Sequence, residues 1–244
     1  MREGTLSNST PASVRRGSRP ARIRTYGLIA TVAILLALPG CDLSVNGDDS
    51  NKINGSIDVP AGKQPGAVAT VNGSIRIAAN AAVTSATTVN GSVHLGDNGT
   101  AASLNTVNGS VTLGKGAHVS GSASSVNGDF DLRDGAEVAG SLSNVNGKIA
   151  LAAAHVGGGI KTVNGGMNIT GASRVEGGIL VQKPATELVQ FGRDVPRIVI
   201  GPGATVQGEL RFERTVQLFV SDKATIGTVT GATPIPFTGD APPN

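Results

Sequence analysis

Apolar and polar residues alternate in short runs along most of this chain, and glycines separate the runs. The pattern is clear in Val71–Ile77, with the sequence VNGSIRI, and it returns in Val107–Leu113 as VNGSVTL. Alternation with a period of two over a run of this length indicates a β-strand that buries one of its faces. The chain is therefore predicted to consist of many short strands joined by corners that contain glycine.

The strands recur at a spacing that is marked by Asn-Gly pairs that follow an apolar residue. The asparagines of these pairs are Asn46, Asn54, Asn72, Asn90, Asn108, Asn127, Asn146 and Asn164. Counted in sequence numbers, the first interval between successive asparagines is 8, and the later intervals are 18, 18, 18, 19, 19 and 18. A second pattern, Ala-x-Val-x-Gly-x-apolar, lies between the pairs, as in Ala117–Ala123, Ala136–Leu142 and Ala204–Leu210. A nearly fixed period of this kind is typical of solenoid proteins, in which each repeat forms one coil.

Three short strands and three corners, at six residues for each strand with its corner, account for the length of the repeat. We predict an all-β protein in which residues 53–230 form a parallel β-solenoid, or β-helix, with about 18–19 residues per coil. A right-handed coil is favoured over the left-handed hexapeptide type, which the spacing in sixes also fits. Helical repeats are disfavoured, because they need about 33 to 47 residues per unit and fewer glycines.

The stacked Asn-Gly pairs are predicted to have a structural role. Asparagine and glycine both tolerate the left-handed backbone conformation that a sharp corner requires. Stacking also lets each asparagine amide bond to the asparagine of the neighbouring coil, which makes a side-chain ladder parallel to the backbone ladder. The predicted ladder contains Asn54, Asn72, Asn90, Asn108, Asn127, Asn146 and Asn164.

The composition fits a thin, layered core better than a spherical one. Only 2% of the residues are aromatic, tryptophan is absent, and 39% are hydrophobic. Aromatic side chains supply much of the buried area in ordinary globular domains. The interior of this chain must therefore be filled by valine, isoleucine, leucine and alanine.

The N-terminal region has the features of a bacterial export signal. Residues 28–38 form an apolar run after an arginine-rich stretch, and the run is shorter than the roughly 20 apolar residues that span a bilayer as a helix. The run ends in Leu38-Pro39-Gly40-Cys41, which resembles the lipobox of bacterial lipoproteins, and Cys41 is the only cysteine. The resemblance implies a signal peptide over 1–40, lipidation of Cys41, and a polar tether over 41–52.

These features predict an exported protein that a lipid on Cys41 anchors to a bacterial membrane, on its periplasmic or surface face. The choice between inner and outer membrane stays open. Two alternatives to a lipoprotein signal remain. The first is an ordinary secretory signal that a cysteine follows by chance, and the second is a short membrane anchor. Lipoprotein maturation adds more than one acyl chain, which is what stable anchoring requires.

The distribution of charge argues against a nucleic-acid partner. The formal net charge is +3, but residues 1–40 contain six arginines and one acidic residue, Glu3. Without them, 14 basic and 16 acidic side chains remain, which is a net charge of −2. A nucleic-acid-binding domain needs a basic face in its folded part, and none is expected here.

The repeats resemble two bacterial families. Ile200–Leu210, with the sequence IGPGATVQGEL, is similar to the repeat of bactofilins, which are polymer-forming proteins with a triangular right-handed β-helix. Leu113–Ala123 and Leu132–Leu142 share this similarity, and the Val-Asn-Gly-Ser-Val units resemble the β-repeat domains of adhesin-like proteins. The resemblance implies self-association, or binding to envelope polysaccharide or to a partner protein.

One acidic cluster is a candidate for catalysis. Asp129 and Asp131 lie on one predicted strand face with Arg133 and Asp134 nearby, and β-helical enzymes that cleave polysaccharides use acidic clusters with a basic partner. The same charged residues are also expected on a strand face that simply points into solvent, and this interpretation is favoured. No catalytic residue and no cofactor is assigned, and the protein is not expected to be an enzyme.

Three further residues form the strongest candidate for a metal site. His118, Glu137 and His155 occupy the same place in three successive Ala-x-Val units, so the two histidines are separated by two coils. A stacked His–Glu–His column could hold a divalent ion. A one-residue deletion near 152–155 disturbs the register, and a solvated column of alternating charge is favoured, so no metal is assigned.

The end of the chain departs from the repeat. Residues 180–197 are predicted to be an inserted loop, and four of the five phenylalanines follow Gly178 and could close the last coils: Phe191, Phe212, Phe219 and Phe237. Residues 231–244 contain four prolines, which lack the N–H that a ladder requires. This segment is predicted to be a C-terminal cap or a disordered tail.

The favoured function is a non-catalytic structural or assembly element, a rigid lipid-anchored solenoid of the cell envelope. The alternative is an adhesin-like module that binds polysaccharide or a partner protein on one face of the solenoid. Sugars stack on exposed aromatic rings, but Phe130, the one aromatic residue in the regular coils before residue 180, is predicted to point inward. This disfavours a sugar ligand.

Overall fold

A computed structural model describes residues 1, 50–184 and 195–243 of the chain. The proposed signal peptide apart from Met1, the lipidation site Cys41, the tether up to residue 49, Asn46 and Phe191 all lie outside the described residues. The described part contains 26 strands and no helix, and therefore no helix that could cross a membrane.

The strands lie on three faces that follow one another in every coil. Face 1 is a ten-stranded parallel sheet. Its strands are β2 (Ile57–Val59), β4 (Ile75–Ile77), β6 (Val93–Leu95), β8 (Val111–Leu113), β11 (Phe130–Leu132), β14 (Ile149–Ala152), β17 (Met167–Thr170), β20 (Arg197–Ile200), β23 (Gln217–Ser221) and β26 (Pro234–Phe237).

Faces 2 and 3 are joined in the early coils and separate in the later ones. Two long strands, β5 (Ala82–Asn90) and β7 (Thr100–Asn108), run across both faces. Face 2 continues with β9 (His118–Val119), β12 (Glu137–Val138), β15 (His155–Val156), β18 (Arg174–Val175), β21 (Thr205–Val206) and β24 (Thr225–Ile226). Face 3 contains β1 (Ser50–Asn54), β3 (Ala67–Asn72), β10 (Ala123–Asn127), β13 (Leu142–Asn146), β16 (Ile160–Thr162), β19 (Ile179–Val181), β22 (Leu210–Phe212) and β25 (Val229–Thr230).

The prediction of an all-β parallel solenoid is confirmed. The strand pairs are parallel and join residues one coil apart, such as Asn90 with Asn108 and Asn108 with Asn127. About ten coils of about 18 residues stack along face 1, and at about 4.8 Å per strand they make a stack of roughly 45 Å. Within the described residues the ladder begins with the pairing of Ser50 and Val68, three residues before the predicted boundary at 53.

The core is a narrow column of small and medium apolar side chains. In the strands of face 1 from β2 to β17, the first and third residues point inward and are buried, as in Ile75 and Ile77, while Arg76 between them is exposed. Phe130 is 1% exposed, so the prediction that it points inward is confirmed. Each coil buries little on its own, and the neighbouring coils complete its core.

In the longer coils, the extra residue lies at the corner between faces 2 and 3. Two residues separate Ala101 from Leu104 in β7, whereas three separate their partners Val119 and Ala123 in the next coil. The added residue makes a corner at Gly121, where a Cβ would lie 2.5 Å from the carbonyl oxygen of Ala102. This corner divides the long strand into β9 and β10, and it corresponds to the Ala-x-Val-x-Gly-x-apolar pattern.

Most of the left-handed residues lie at a different corner from the one predicted. None of the ladder asparagines has a positive φ, and among the glycines that directly follow them only Gly55 and Gly147 do. A column at the corner after face 1 is left-handed instead: Gly62, Asn80, Asn98, Gly116, Gly135, Ala153, Gly171 and Gly203. At the Asn-Gly corners, most glycines are needed because the coils approach closely. A Cβ on Gly109 would lie 2.0 Å from the carbonyl oxygen of Gly91.

The inserted loop enters the stack between faces 3 and 1. Met167 of β17 pairs with Ile149 in the coil before it and with Ile198 of β20 in the coil after it, so the second of these turns is much longer than the first. The described residues up to 184 and from 195 flank the insertion, and the ladder resumes on its far side without a change of direction. A long insertion at a corner therefore leaves the stacking intact.

The expectation that the prolines stop the ladder at residue 230 is wrong. β26 pairs in parallel with β23, and the N–H of Asp222 donates to the carbonyl oxygen of Phe237 at 3.0 Å. Backbone groups of successive strand residues point to opposite sides, so the nitrogens of Pro234 and Pro236 face the open edge. Proline is tolerated there because no donor is used.

The last coils also contain most of the described phenylalanines. Phe212, Phe219 and Phe237 are buried at 5%, 9% and 6% exposure. The guanidinium of Arg197 lies 4.7 Å from the ring centre of Phe219, and its Nη2 donates to the carbonyl oxygen of Pro243 at 2.9 Å. Residues near the C-terminus therefore contact the outside of face 1.

We predict that deleting 231–244 from the protein starting at residue 42 promotes end-to-end association. The deletion removes the proline edge and leaves the N–H groups of β23 unpaired at the open end, where a strand of another molecule can bind. Light scattering and electron microscopy should show stacks longer than one molecule. Pro234→Ala with Pro236→Ala restores two donors and should have the same effect more weakly. If both variants remain like the parent, the proline edge does not block association.

Candidate functional site

The ladder asparagines form one continuous row of hydrogen bonds at the corner between faces 3 and 1. Each Nδ2 donates to the Oδ1 of the asparagine in the preceding coil at 2.8–2.9 Å. The pairs are Asn72 with Asn54, Asn90 with Asn72, Asn108 with Asn90, Asn127 with Asn108, Asn146 with Asn127, and Asn164 with Asn146. The structure thus brings all seven predicted asparagines together.

A second row of polar side chains lies inside the solenoid beside this ladder. The hydroxyl of Thr88 is buried at 1% exposure and donates to the carbonyl oxygen of Gly73 at 2.9 Å. Thr70, Thr106, Ser125 and Asn144 make the equivalent bond in their own coils. This row was not predicted, although the sequence carries its signal, a hydroxyl or amide two residues before each ladder asparagine from Asn72 onward.

A third row follows each Asn-Gly pair. The backbone N–H of Ser92 donates to Oγ of Ser74 at 3.3 Å, and the same contact repeats along the corner. Asp129 and Lys148 take the serine position in later coils, and the N–H of Lys148 donates to Oδ1 of Asp129 at 2.7 Å. The carboxylate of Asp129 therefore accepts a backbone hydrogen bond at this corner, which makes Asp129 a weaker candidate for a catalytic acid.

The rest of the acidic cluster is engaged in surface contacts. Asp131 lies 3.6 Å from Nε of Arg133 and points outward from β11. The register of face 1 places Asp131 in one outward column with Arg76, His94 and Thr112. These residues are spread along the stack and do not converge on one point.

Arg214 ends the asparagine ladder at its C-terminal side. Its Nη1 contacts Oδ1 of Asn164, the last acceptor of the row, and also donates to the carbonyl oxygen of Val163 at 3.1 Å. A charged donor forms a stronger hydrogen bond with Oδ1 of Asn164 than a neutral donor does.

The His–Glu–His column exists on face 2 and stays in register. Glu137 pairs with His118 on one side and with His155 on the other. The shortened corner contains Ala153 with a φ of 51°, in the left-handed conformation that Gly135 adopts one coil earlier. The deletion near 152–155 is thus absorbed before β15 begins, and the expected disturbance of the register does not reach His155.

Glu137 binds both histidines through different oxygens. Nδ1 of His118 lies 3.0 Å from Oε2, and Nδ1 of His155 lies 3.3 Å from Oε1. The contacts run along the stack in a line, whereas metal ligands must converge on one ion. Among the described residues, no group of three or more His, Cys, Asp or Glu side chains is arranged to hold a metal ion.

The column continues into a further charged pair. Nε2 of His155 lies 3.3 Å from Oε1 of Glu176, and Nε of Arg174 donates to the same oxygen at 3.1 Å. The hydrogen bond from Arg174, and then that from His155, lowers the pKa of the Glu176 carboxyl. A lowered pKa favours the folded state above the unfolded pKa, and this contribution is lost as the pH falls through the folded value.

One shallow groove lies over the corner between faces 2 and 3. It has a volume of about 220 Å³ and is bordered by Lys161, Leu180, Glu209 and Arg211 above exposed glycine backbone. Pockets for small molecules usually enclose roughly 300–1,000 Å³. The groove is therefore a weak candidate for a ligand site.

Comparison with known proteins adds no relative, because no family model, no curated protein and no solved structure matches this chain.

We predict that Asn108→Ala lowers the free energy of unfolding by about 1–2 kcal/mol, because it removes two hydrogen bonds and leaves Oδ1 of Asn90 without its donor and Nδ2 of Asn127 without its acceptor. Asn168→Ala is the matched control, since Asn168 is an exposed asparagine on face 1, and we expect a change of less than about 0.5 kcal/mol. Urea denaturation measures both values. Equal effects would show that the ladder adds nothing to stability.

We predict that zinc does not bind specifically to the His–Glu–His column. Calorimetric titration should give the same weak zinc binding for the wild type, for His118→Ala and for the control His94→Ala. The reason is that the imidazoles of His118 and His155 both contact the Glu137 carboxylate. Binding by the wild type that is at least tenfold tighter than by His118→Ala, with no change in His94→Ala, would establish a metal site instead.

Proposed function

We propose that this chain is a lipid-anchored protein of the bacterial envelope whose solenoid serves as a rigid, non-catalytic structural or assembly element. The observation that carries the proposal is the use of polar side chains. At the corner between faces 3 and 1, three rows of side chains bond one coil to the next. The polar groups that could otherwise act on a substrate are occupied in holding the stack together.

Rigidity follows from this bonding. Every coil from Ala67 to Asn164 is held by a parallel backbone ladder and by the asparagine row. Bending the stack would lengthen hydrogen bonds on one side, and those of the buried threonine row have no water to replace them. A straight, stiff body of this kind is suited to spacing or scaffolding.

Attachment to a membrane rests on the sequence around Cys41. The first described strand begins at Ser50, a short distance along the chain from this cysteine. The segment between them spans at most about 30 Å when fully extended. If Cys41 is lipidated, the first coil lies close to the bilayer and the stack presents its C-terminal coils to the surroundings or to a partner.

An adhesin-like module that binds polysaccharide or a partner protein is the second candidate. Its support is the presence of flat strand faces repeated over many coils. Among the described residues, however, Phe130 and Phe219 are buried rather than available for stacking on a sugar. The structural role therefore accounts for more of the molecule.

We predict that Cys41→Ser abolishes lipid attachment. Cells that express the variant and are fed labelled palmitate should yield an unlabelled precursor that leaves the membrane fraction or accumulates unprocessed. Ser44→Ala, which changes a nearby residue outside the lipobox, should keep the label. Continued labelling of Cys41→Ser would show that the lipobox assignment is wrong.

A further inference from the structure

Face 3 differs from the other two faces in having no charge over five consecutive coils. Its outward positions from Ala67 to Val145 form three rows that contain serine, threonine, asparagine, alanine and valine. In the coil of β7, for example, these positions are Ser103, Asn105 and Val107. Face 1 carries Asp58 and Arg76 in its outward column, and face 2 carries the His–Glu–His column.

The row next to the asparagine ladder is apolar in every one of these coils. It consists of Val71, Val89, Val107, Val126 and Val145, of which Val71 is 41% exposed and the others are half-buried. Single exposed apolar side chains are common on protein surfaces, but a contiguous apolar strip indicates a contact surface. The strip is identical in residue type from coil to coil and lies on a flat sheet.

The polar rows beside the valines can be covered at little cost. Oγ of Ser124 donates to Oδ1 of Asn105 at 2.7 Å, and the hydroxyls of Ser122 and Ser141 lie 3.2 Å apart. These groups already bond within their own row, so burial does not leave them without a partner. A sheet that packs against this face would not have to separate a charge from water.

We propose that face 3, over the five coils from Ala67 to Asn146, pairs with the same face of a second copy of this chain. The inference rests on the proposed function as an assembly element, and it names face 3 as the surface through which two copies assemble. A face without charge meets its own copy without the like-charge repulsion that faces 1 and 2 would produce. A two-fold axis parallel to the stack sets the valine row of each copy against the serine row of the other.

The parallel arrangement follows from the proposed anchor. Two copies held in one membrane by tethers of equal length present the same coils at the same height, and tethering raises their effective concentration. The pairing ends at the sixth coil, because Lys161 takes the middle row there and two lysines would face each other. Beyond it, Leu180 and Arg211 continue the row.

The size of the face sets the expected strength. Five coils at about 4.8 Å and five residues of about 3.3 Å along each strand give roughly 400 Å² for each copy, or about 800 Å² in total. Interfaces of this size are at the low end of specific contacts. The pair should therefore be weak and reversible in solution and populated at the membrane.

The first test uses residues 42–244, which form a compact unit that contains every described strand and lacks Cys41. Sedimentation equilibrium over a wide concentration range should show a reversible monomer–dimer equilibrium. Ser124→Arg, in the middle row of face 3, should weaken the dimer at least tenfold. Thr112→Arg, at a half-buried outward position of face 1, is the matched control and should leave the dimer unchanged. Thermal melts verify that both variants fold.

A monomer at all concentrations would overturn the proposal, as would equal dimer formation or equal loss in the two variants. A second test examines orientation with a short thiol cross-linker. Thr87→Cys should link to itself in the parallel pair, whereas an antiparallel pair would link Thr87→Cys only to Ser124→Cys and would overturn the proposed arrangement. Palmitate labelling at Cys41 is measured separately, so loss of pairing with retained labelling refutes the interface and leaves the anchor standing.

Discussion

The structure depends on the requirement that each coil closes with its residues directly above those of the coil before. A parallel ladder offers one hydrogen-bonded position per residue, so every turn must return to the same register after three strands and three corners. Coils of two lengths meet this requirement because the extra residue of the longer ones is confined to the corner at Gly121 and its equivalents. The insertion before Arg197 and the shortened corner at Ala153 meet it as well. Variation is tolerated at corners because the strands carry the register.

The sequence was sufficient to predict the class of fold, the length of the coil and the asparagine row. These predictions succeeded because each depends on a local pattern that repeats, and repetition separates a weak signal from chance. The alternation in Ile75–Ile77 is short, yet it returns at the same place in coil after coil. The column of His118, Glu137 and His155 was predictable for the same reason, since equal positions in successive repeats must stack.

What the sequence did not reveal depends on contacts between coils. The buried hydroxyl of Thr88 reads as an ordinary polar residue in a strand, and only the position of the Gly73 carbonyl explains it. The conformation of most Asn-Gly corners was predicted wrongly, because glycine is used both for left-handed backbone and for close approach, and composition does not distinguish the two. The strand at Pro234–Phe237 was missed because proline was judged without knowing which edge its nitrogen would face.

The asparagine row also has an electrical direction. Every amide points its N–H toward the preceding coil, so the side-chain dipoles from Asn72 to Asn164 are aligned along the stack. Aligned peptide dipoles in an α-helix leave partial negative charge at the carbonyl end, where cations bind favourably. The amide oxygen of Asn164 is the corresponding end of this row, and the guanidinium of Arg214 is bound to it. A β-solenoid built in this way acquires the polarity of a helix through its side chains, and with it two ends that a charged partner can tell apart.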